Sequence, residues 1–422
     1  MTDWKHGAPA KAVLTWSIPA LLAGILANCG GPSGPSGPGG TAMVLVADSG
    51  NNRVLGFSGP FTSGQLSTAT FVIGQPNLNT ATSGRGLSSL NAPLGVTLDF
   101  AGNLWVVDTG NNRLVEFIAP FINGKSATFT LGQSGCGNPS STTLCNPSSA
   151  AFDTQGNLWI ADTDDNRILE FAPPFTNGVT KNPVLVIGQS QAACSGQPTA
   201  NNLCHPHGLA FDLHGNLWVA DTGYNRVVEY IPPFTNGANL VLGQPNCNSS
   251  AYNGGQSMPL PDSLAAPSAV VGDVFGNLWV SDTQNGRVIE FPIQALSSGN
   301  TSGCAKGGAA TVAIGQPDLY SGNINSPSPC QDAPNTTATN VCLPEGIFFD
   351  IGDNLWVADT QNNRVVRYTP SPASNGSVAF TNNVPNAANL VLGQSGFTTT
   401  GSGNGATGLN QPTAVYVNIP NL

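Results

Sequence analysis

The sequence predicts an all-β fold: a six-bladed β-propeller of four-stranded antiparallel blades, its ring closed by the C-terminal strand pairing with the N-terminal blade. Three observations predict it. A phrase close to Asn-Leu-Trp-Val-x-Asp-Thr-x-Asn-Asn-Arg recurs at Asn103–Arg113, Asn157–Arg167, Asn216–Arg226, Asn277–Arg287 and Asn354–Arg364, and Val44–Arg53 keeps its second half. After each copy an apolar strand runs to Gly-Gln, at Gly74, Gly132, Gly188, Gly243, Gly315 and Gly393. The ends complement each other: Pro412–Val417 reads as the first strand of a unit, whereas Ala42–Asp48 opens at the second. A unit repeated in this way cannot cover its own apolar faces and must stack.

Within a unit, four short segments are bounded by Gly, Pro, Asn and Asp. In the second they are Gly95–Asp99, Asn103–Asp108, Arg113–Phe117 and Ala127–Gly132, with hairpin turns at Asp99–Asn103 and Thr109–Asn112. Helical periodicity is absent from the repeats. Leu104-Trp-Val-Val107 is apolar on both faces, which suits a strand in a sheet packed between two others. Thr413–Val417 is expected to pair with Val44–Asp48, leaving no free edge.

These motifs resemble the NHL-repeat family, in particular bacterial extracytoplasmic members whose blades end in Val-Leu-Gly-Gln, over roughly residues 42–422. The resemblance implies a propeller, and relatives that include lyases and lactonases holding a metal at the channel mouth with His, Asp, Asn or Glu. Some animal members bind RNA through a basic face. Here six of the eight Arg belong to the repeat, leaving Arg85, Arg367, Lys125, Lys181 and Lys306 in the propeller, at net charge −10. No patch can neutralise several phosphates, so nucleic acid is excluded as a partner.

Residues 1–29 read as a signal peptide: Lys5 and Lys11 precede an apolar run over Ala12–Ala27, short for a membrane span. Leu26-Ala-Asn-Cys29 resembles a bacterial lipobox, but Asn28 stands where such boxes carry Gly, Ala or Ser. Two outcomes stay open for Cys29, namely lipidation with membrane attachment and plain secretion. Residues 30–41 form a Gly/Pro/Ser linker and 42–422 the propeller. Cys136/Cys145, Cys194/Cys204 and Cys330/Cys342 each flank an inter-blade loop just before a blade-opening Pro. Three local disulfides are expected, each contributing about 2–3 kcal/mol, in an oxidising extracytoplasmic compartment. Cys247 and Cys304 are an even remainder, yet propeller topology places them on opposite faces and predicts them unpaired.

Repetition also sorts function from structure. Asp48, Asp108, Asp162, Asp221, Asp282 and Asp359 occur once per blade with their Arg, so they are expected to hold blades together. Trp105, Trp159, Trp218, Trp279 and Trp356 read as blade core for the same reason. Ligand-binding candidates lie where the repeats disagree. The residues after the blade-opening Pro are Leu94, Ser148, His207, Ser268, Glu345 and Thr413, a largely polar ring at one channel mouth. Asp164, Asp165 and Tyr224 vary in the turn on the same face; Asp162-Thr-Asp-Asp-Asn lacks the Gly and the distant Glu of a calcium loop and reads as a solvated acidic turn.

No catalytic motif and no cofactor motif is present. The resulting expectation is an exported module binding a protein, peptide or glycan. The alternative is a metal-assisted lyase or lactonase-type hydrolase, for which only His207 and Glu345 are suitably placed.

Overall fold

The computed structural model describes residues 42–418 except 133–135, 137–139, 141, 178, 180, 189–193, 195–196, 297–303, 323–335, 373–377 and 382–385. The predicted leader with Cys29, the linker 30–41 and Cys330 therefore lie outside the described residues.

Six four-stranded antiparallel blades follow one another. Blade 2 is Gly95–Leu98, Leu104–Asp108, Arg113–Phe117 and Phe129–Leu131. Blades 3 to 6 repeat this order from inner strands Ser149–Phe152, Pro206–Phe211, Ala269–Gly272 and Pro344–Phe349. Blade 1 is composite: Pro412–Asn418 pairs with Met43–Asp48, setting Leu45 opposite Tyr416 and Val46 opposite Val415, so the expected closure is present. Blade 4 carries an extra parallel strand, Ala305–Lys306, along its outer strand Leu240–Leu242.

The second strands are buried on both faces because each blade is packed between two others. Their Trp residues form the blade-to-blade core. Trp105, for example, meets Phe152 of the next inner strand and Phe175 edge-on, at centroid distances of 5.7 and 5.1 Å, contacts worth about 0.5–1.5 kcal/mol each beyond area burial. Each indole N–H must find an acceptor, and an Asp in the first hairpin turn supplies it: Trp105 to Asp99 at 3.1 Å, Trp356 to Asp350 at 2.9 Å.

The repeat Asp and Arg form one buried ion pair per blade, with N···O distances of 2.6–2.7 Å. At Asp221 one carboxylate oxygen accepts from Arg226 Nε and the other from the Cys204 backbone N–H. Arg226 then donates to the carbonyls of Cys247, Thr199 and Asn202, tying loops from both sides into the blade. The turn that follows Asp221 closes through Asn225 in the left-handed region (φ 51°), whose side-chain oxygen accepts from Ala266 N–H of the next blade.

Cys136–Cys145 and Cys194–Cys204 are bonded, with Cα–Cα distances of 4.9 and 5.2 Å. Cys342 is also disulfide-bonded. The expectation that Cys247 and Cys304 stay unpaired is overturned, since they form a disulfide. The link after the third strand of blade 5 does not stay on its own face. It runs along the outer edge of blade 4, where Ala305 N–H donates to Asn239 and Gly307 N–H to Val241, and so delivers Cys304 to the neighbouring blade's Cys247. These bonds are consistent with an extracytoplasmic protein. Among the described residues no helix is long and apolar enough to cross a membrane.

Candidate functional site

All six inner strands line a central channel of about 310 Å³. Each begins with a two-for-one irregularity at the residue after the blade-opening Pro. In blade 4, Pro206 pairs with Asp221 and Leu209 with Val219, so His207 and Gly208 face a single partner position; Glu345–Gly346 and Thr413 repeat this. In blades 2, 3 and 5 the N–H of Leu94, Ser148 and Ser268 donates to the carbonyl of the residue that pairs with the next position. Bulges of this kind redirect a side chain out of the regular alternation.

The six positions resolve into two alternating sets. Blades 3, 5 and 1 place buried hydroxyls there, and each hydroxyl donates to the backbone of the next blade. Ser148 Oγ reaches His207 O at 3.0 Å, Ser268 Oγ reaches Pro344 O at 3.3 Å and Thr413 Oγ1 reaches Leu94 O at 3.0 Å. The residue that follows in blades 2, 4 and 6 is Gly, because the next inner strand passes too close for a side chain. A Cβ on Gly208 would stand 2.6 Å from Ser268 O, and one on Gly346 2.7 Å from Thr413 O. The hydroxyls are thus used as clamps, and Leu94, His207 and Glu345 of blades 2, 4 and 6 keep contact with the solvent of the channel.

His207 Nδ1 lies 3.1 Å from Ser268 O. A carbonyl only accepts, so Nδ1 carries the proton and the neutral ring leaves Nε2 as a lone-pair acceptor. Burial lowers the His207 pKa, outweighing that hydrogen bond, and keeps the ring neutral near pH 7. Glu345 differs from every repeated carboxylate. No hydrogen bond or ion pair reaches its carboxyl among the described residues, and burial alone pushes its pKa up to about 7. Below this mouth the channel wall is mostly apolar, with Val96, Ala150, Ala210, Val271, Phe348 and Tyr416.

The remaining candidates lie off the channel. Asp164 sits on the rim, accepting from Asn146 Nδ2 at 2.5 Å and lying 3.3 Å from His205 Nδ1. Asp165 is buried rather than solvated, which corrects the reading of this turn as a solvated acidic one. It occupies the place of Asn111 and Asn285, whose amides donate to the staple carboxylate, and it lies 3.2 Å from Arg167. Burial raises the pKa of both Asp162 and Asp165; the Asp165 charge raises that of Asp162 further, and the Asp164 charge that of Asp165. Tyr224 is likewise buried, its ring under the Arg226 guanidinium at 5.1 Å.

For a metal, the donor set does not fit. Among the described residues the one group of three donors converging within 4.8 Å is Cys194, Cys204 and His205, and both sulfurs are in a disulfide. Among the described residues no third carboxylate, imidazole or thiol converges with His207 and Glu345.

The NHL repeat family matches residues 144–171 and 203–230, two of the six copies of the unit described above. The chain carries NHL repeats. Curated relatives include peptidyl-alpha-hydroxyglycine alpha-amidating lyase 2 of Drosophila melanogaster, 32% identical over 125 residues (29% of this chain, 27% of that protein). Human NHL repeat-containing protein 3 is 31% identical over 154 residues, covering 35% of this chain and 38% of its own. The matches therefore span well under half of these relatives' length. Among solved structures, the periplasmic gluconolactonase of Pseudomonas aeruginosa aligns at 12% identity and TM-score 0.45, covering 83% of this chain and 98% of that one. Virginiamycin B lyase of Staphylococcus aureus aligns at 15% identity and TM-score 0.38, covering 68% of each chain.

Proposed function

We propose that this NHL propeller is an exported binding module whose channel mouth, framed by the inter-blade loops, takes up a polar group of a protein, peptide or glycan ligand. The observation that carries this reading is Glu345: a half-buried carboxyl facing the channel, partly desolvated and with no hydrogen bond or ion pair among the described residues, gains from a ligand that completes it. The leader 1–29 directs export and Cys29 is the point of lipid attachment or, failing that, part of a removed signal; the disulfides fit either route.

The test is native mass spectrometry of the exported protein equilibrated with small-molecule, peptide and glycan mixtures. A one-to-one adduct lost in the His207→Ala/Glu345→Ala double variant is the expected result. Adducts indifferent to that change would move the site elsewhere.

A second reading rests on the same pair. A protonatable Glu345 and a neutral His207 with a free Nε2, both lining the channel, suit acid–base work on a lactone or a similar carbonyl compound, Glu345 donating and His207 accepting a proton. Turnover of a lactone panel, lost in either single variant, would favour the enzyme; adduct formation without turnover favours the binding module.

A further inference from the structure

We propose that the ligand group at the channel mouth is a primary ammonium on a short apolar tail, the ammonium held by Glu345 and His207 Nε2 and the tail lying in the channel. This rests on the channel mouth being the working site. Its first support is that the two uncommitted polar groups there are both acceptors: a carboxylate, and an imidazole nitrogen whose ring partner Nδ1 is occupied by Ser268 O. Acceptors call for a donor, and the carboxylate calls for a positive one.

Nothing among the described residues supplies it. No described Lys or Arg side chain lines the channel; Lys306 pairs with Asp262 on the surface, Lys181 reaches Ala172 O, and Arg367 lies over Trp356. The titratable groups of the channel lining are His207, Asp212, Glu345 and Tyr416. Asp212 is already engaged by Trp218 and Asn216 in its hairpin turn. An anionic ligand would meet Glu345 with nothing to offset it.

The walls set the rest of the molecule. Leu94, the third member of the alternating set, completes the mouth with an apolar side chain, and the channel beyond is lined by Val96, Ala150, Ala210, Val271, Phe348 and Tyr416. A head held at the mouth therefore directs its tail onto apolar surface. The volume is at the small end of ligand pockets, which favours a tail of a few carbons. A quaternary ammonium has no N–H to give to two acceptors and would need an aromatic cage instead. The net charge of −10 favours the approach of a cation.

Calorimetric titration of the full exported chain with n-hexylamine, hexanoate, hexyltrimethylammonium and leucinamide tests this. Hexylamine, with an amine pKa near that of Lys at about 10.4, stays charged from pH 6 to 8. Its affinity should rise about tenfold over that range as Glu345 ionises, and fall at least tenfold in Glu345→Gln. Hexanoate should not bind, and the quaternary amine should bind at least tenfold more weakly. Leucinamide binding alongside hexylamine supports a peptide N-terminus as the source, and hexylamine binding alone a free alkylamine. An unfolding midpoint of Glu345→Gln no lower than that of the unsubstituted protein at pH 5 shows that the variant is folded. Hexanoate or the quaternary amine binding as well as hexylamine, or an affinity unchanged in Glu345→Gln, overturns the proposal. If hexylamine fails while another adduct is still lost in the double variant, only the amine assignment falls.

Discussion

Blade 6 holds two carboxylates out of bulk water, fourteen positions apart, and treats them in opposite ways. Asp359 accepts from Arg364 Nε at 2.6 Å, from the Asn362 amide and from the Cys342 backbone N–H. Among the described residues nothing donates to the carboxyl of Glu345, at the start of the same blade. Asp359 recurs in all six blades and Glu345 in none of the others at its position. A charge copied into every unit comes with its partners and acts as a staple; the charge present once at Glu345 has no side-chain partner among the described residues. The same division runs around the channel mouth, where Ser148, Ser268 and Thr413 clamp the neighbouring backbone, as His207 does through Nδ1, and the side chains of Leu94 and Glu345 do not.

Breaking a staple should cost most. Arg226→Leu strands Asp221 and frees three loop carbonyls, and should lower stability by about 3–5 kcal/mol in denaturant unfolding. A loss below about 1 kcal/mol would mean that the pair is not a staple.

Glu345→Gln should do the reverse. The folded-state pKa of about 7 is raised above the unfolded value, so the folded form binds the proton more tightly. The resulting stabilisation is full below the unfolded pKa and is lost as pH climbs through 7. The variant should therefore match the unsubstituted protein at pH 4 and exceed it at pH 8.5 by about 1–3 kcal/mol, by thermal or denaturant unfolding at both pH values.

Asp165→Asn restores the donor that Asn111 and Asn285 provide and removes a like charge beside Asp162. Both carboxyls have raised pKa values, so the gain, about 1 kcal/mol, should be present at pH 8 and shrink towards pH 4. Equal unfolding midpoints at pH 8 would contradict the placement of Asp165 against Asp162. The smallest effect should come from Ser148→Ala, which removes one hydroxyl clamp and costs about 0.5 kcal/mol. It should leave the pH dependence of hexylamine binding unchanged, since the Ser148 hydroxyl meets Thr163 Oγ1 and the carbonyls of Pro206 and His207 but not the His207 ring or Glu345.

Much of this division was legible in the residues. Copied motifs predict strands, blade count and ring closure because each unit has to bury the same apolar faces, and Glu345 stands out because the other four Glu sit opposite Trp159, Trp105, Trp218 and Trp279 in third strands. What a repeat cannot reveal is how its exceptions are packed. Asp165 looks like a solvent residue until the Asn position it fills is seen to be buried. Tyr224, a ligand-binding candidate because the turn varies there, is buried in the same way. The Cys247–Cys304 bond depends on a long link leaving its own blade for the neighbour's edge, and the hydroxyl clamps depend on bulges that no local pattern marks.

The central claim is that Glu345 stands at the channel mouth without a protein partner, and its titration tests this directly. The chain has five Glu, so carboxyl carbon NMR of Glu-labelled protein resolves them. Burial also raises the pKa of Glu116, Glu170, Glu229 and Glu290, and Glu345→Gln identifies its own signal by loss. A Glu345 midpoint near 7 in the ligand-free protein is the expected result. A midpoint in the ordinary carboxylate range, about 4.3, would mean that the protein already completes this charge, and the site would have no vacancy to offer.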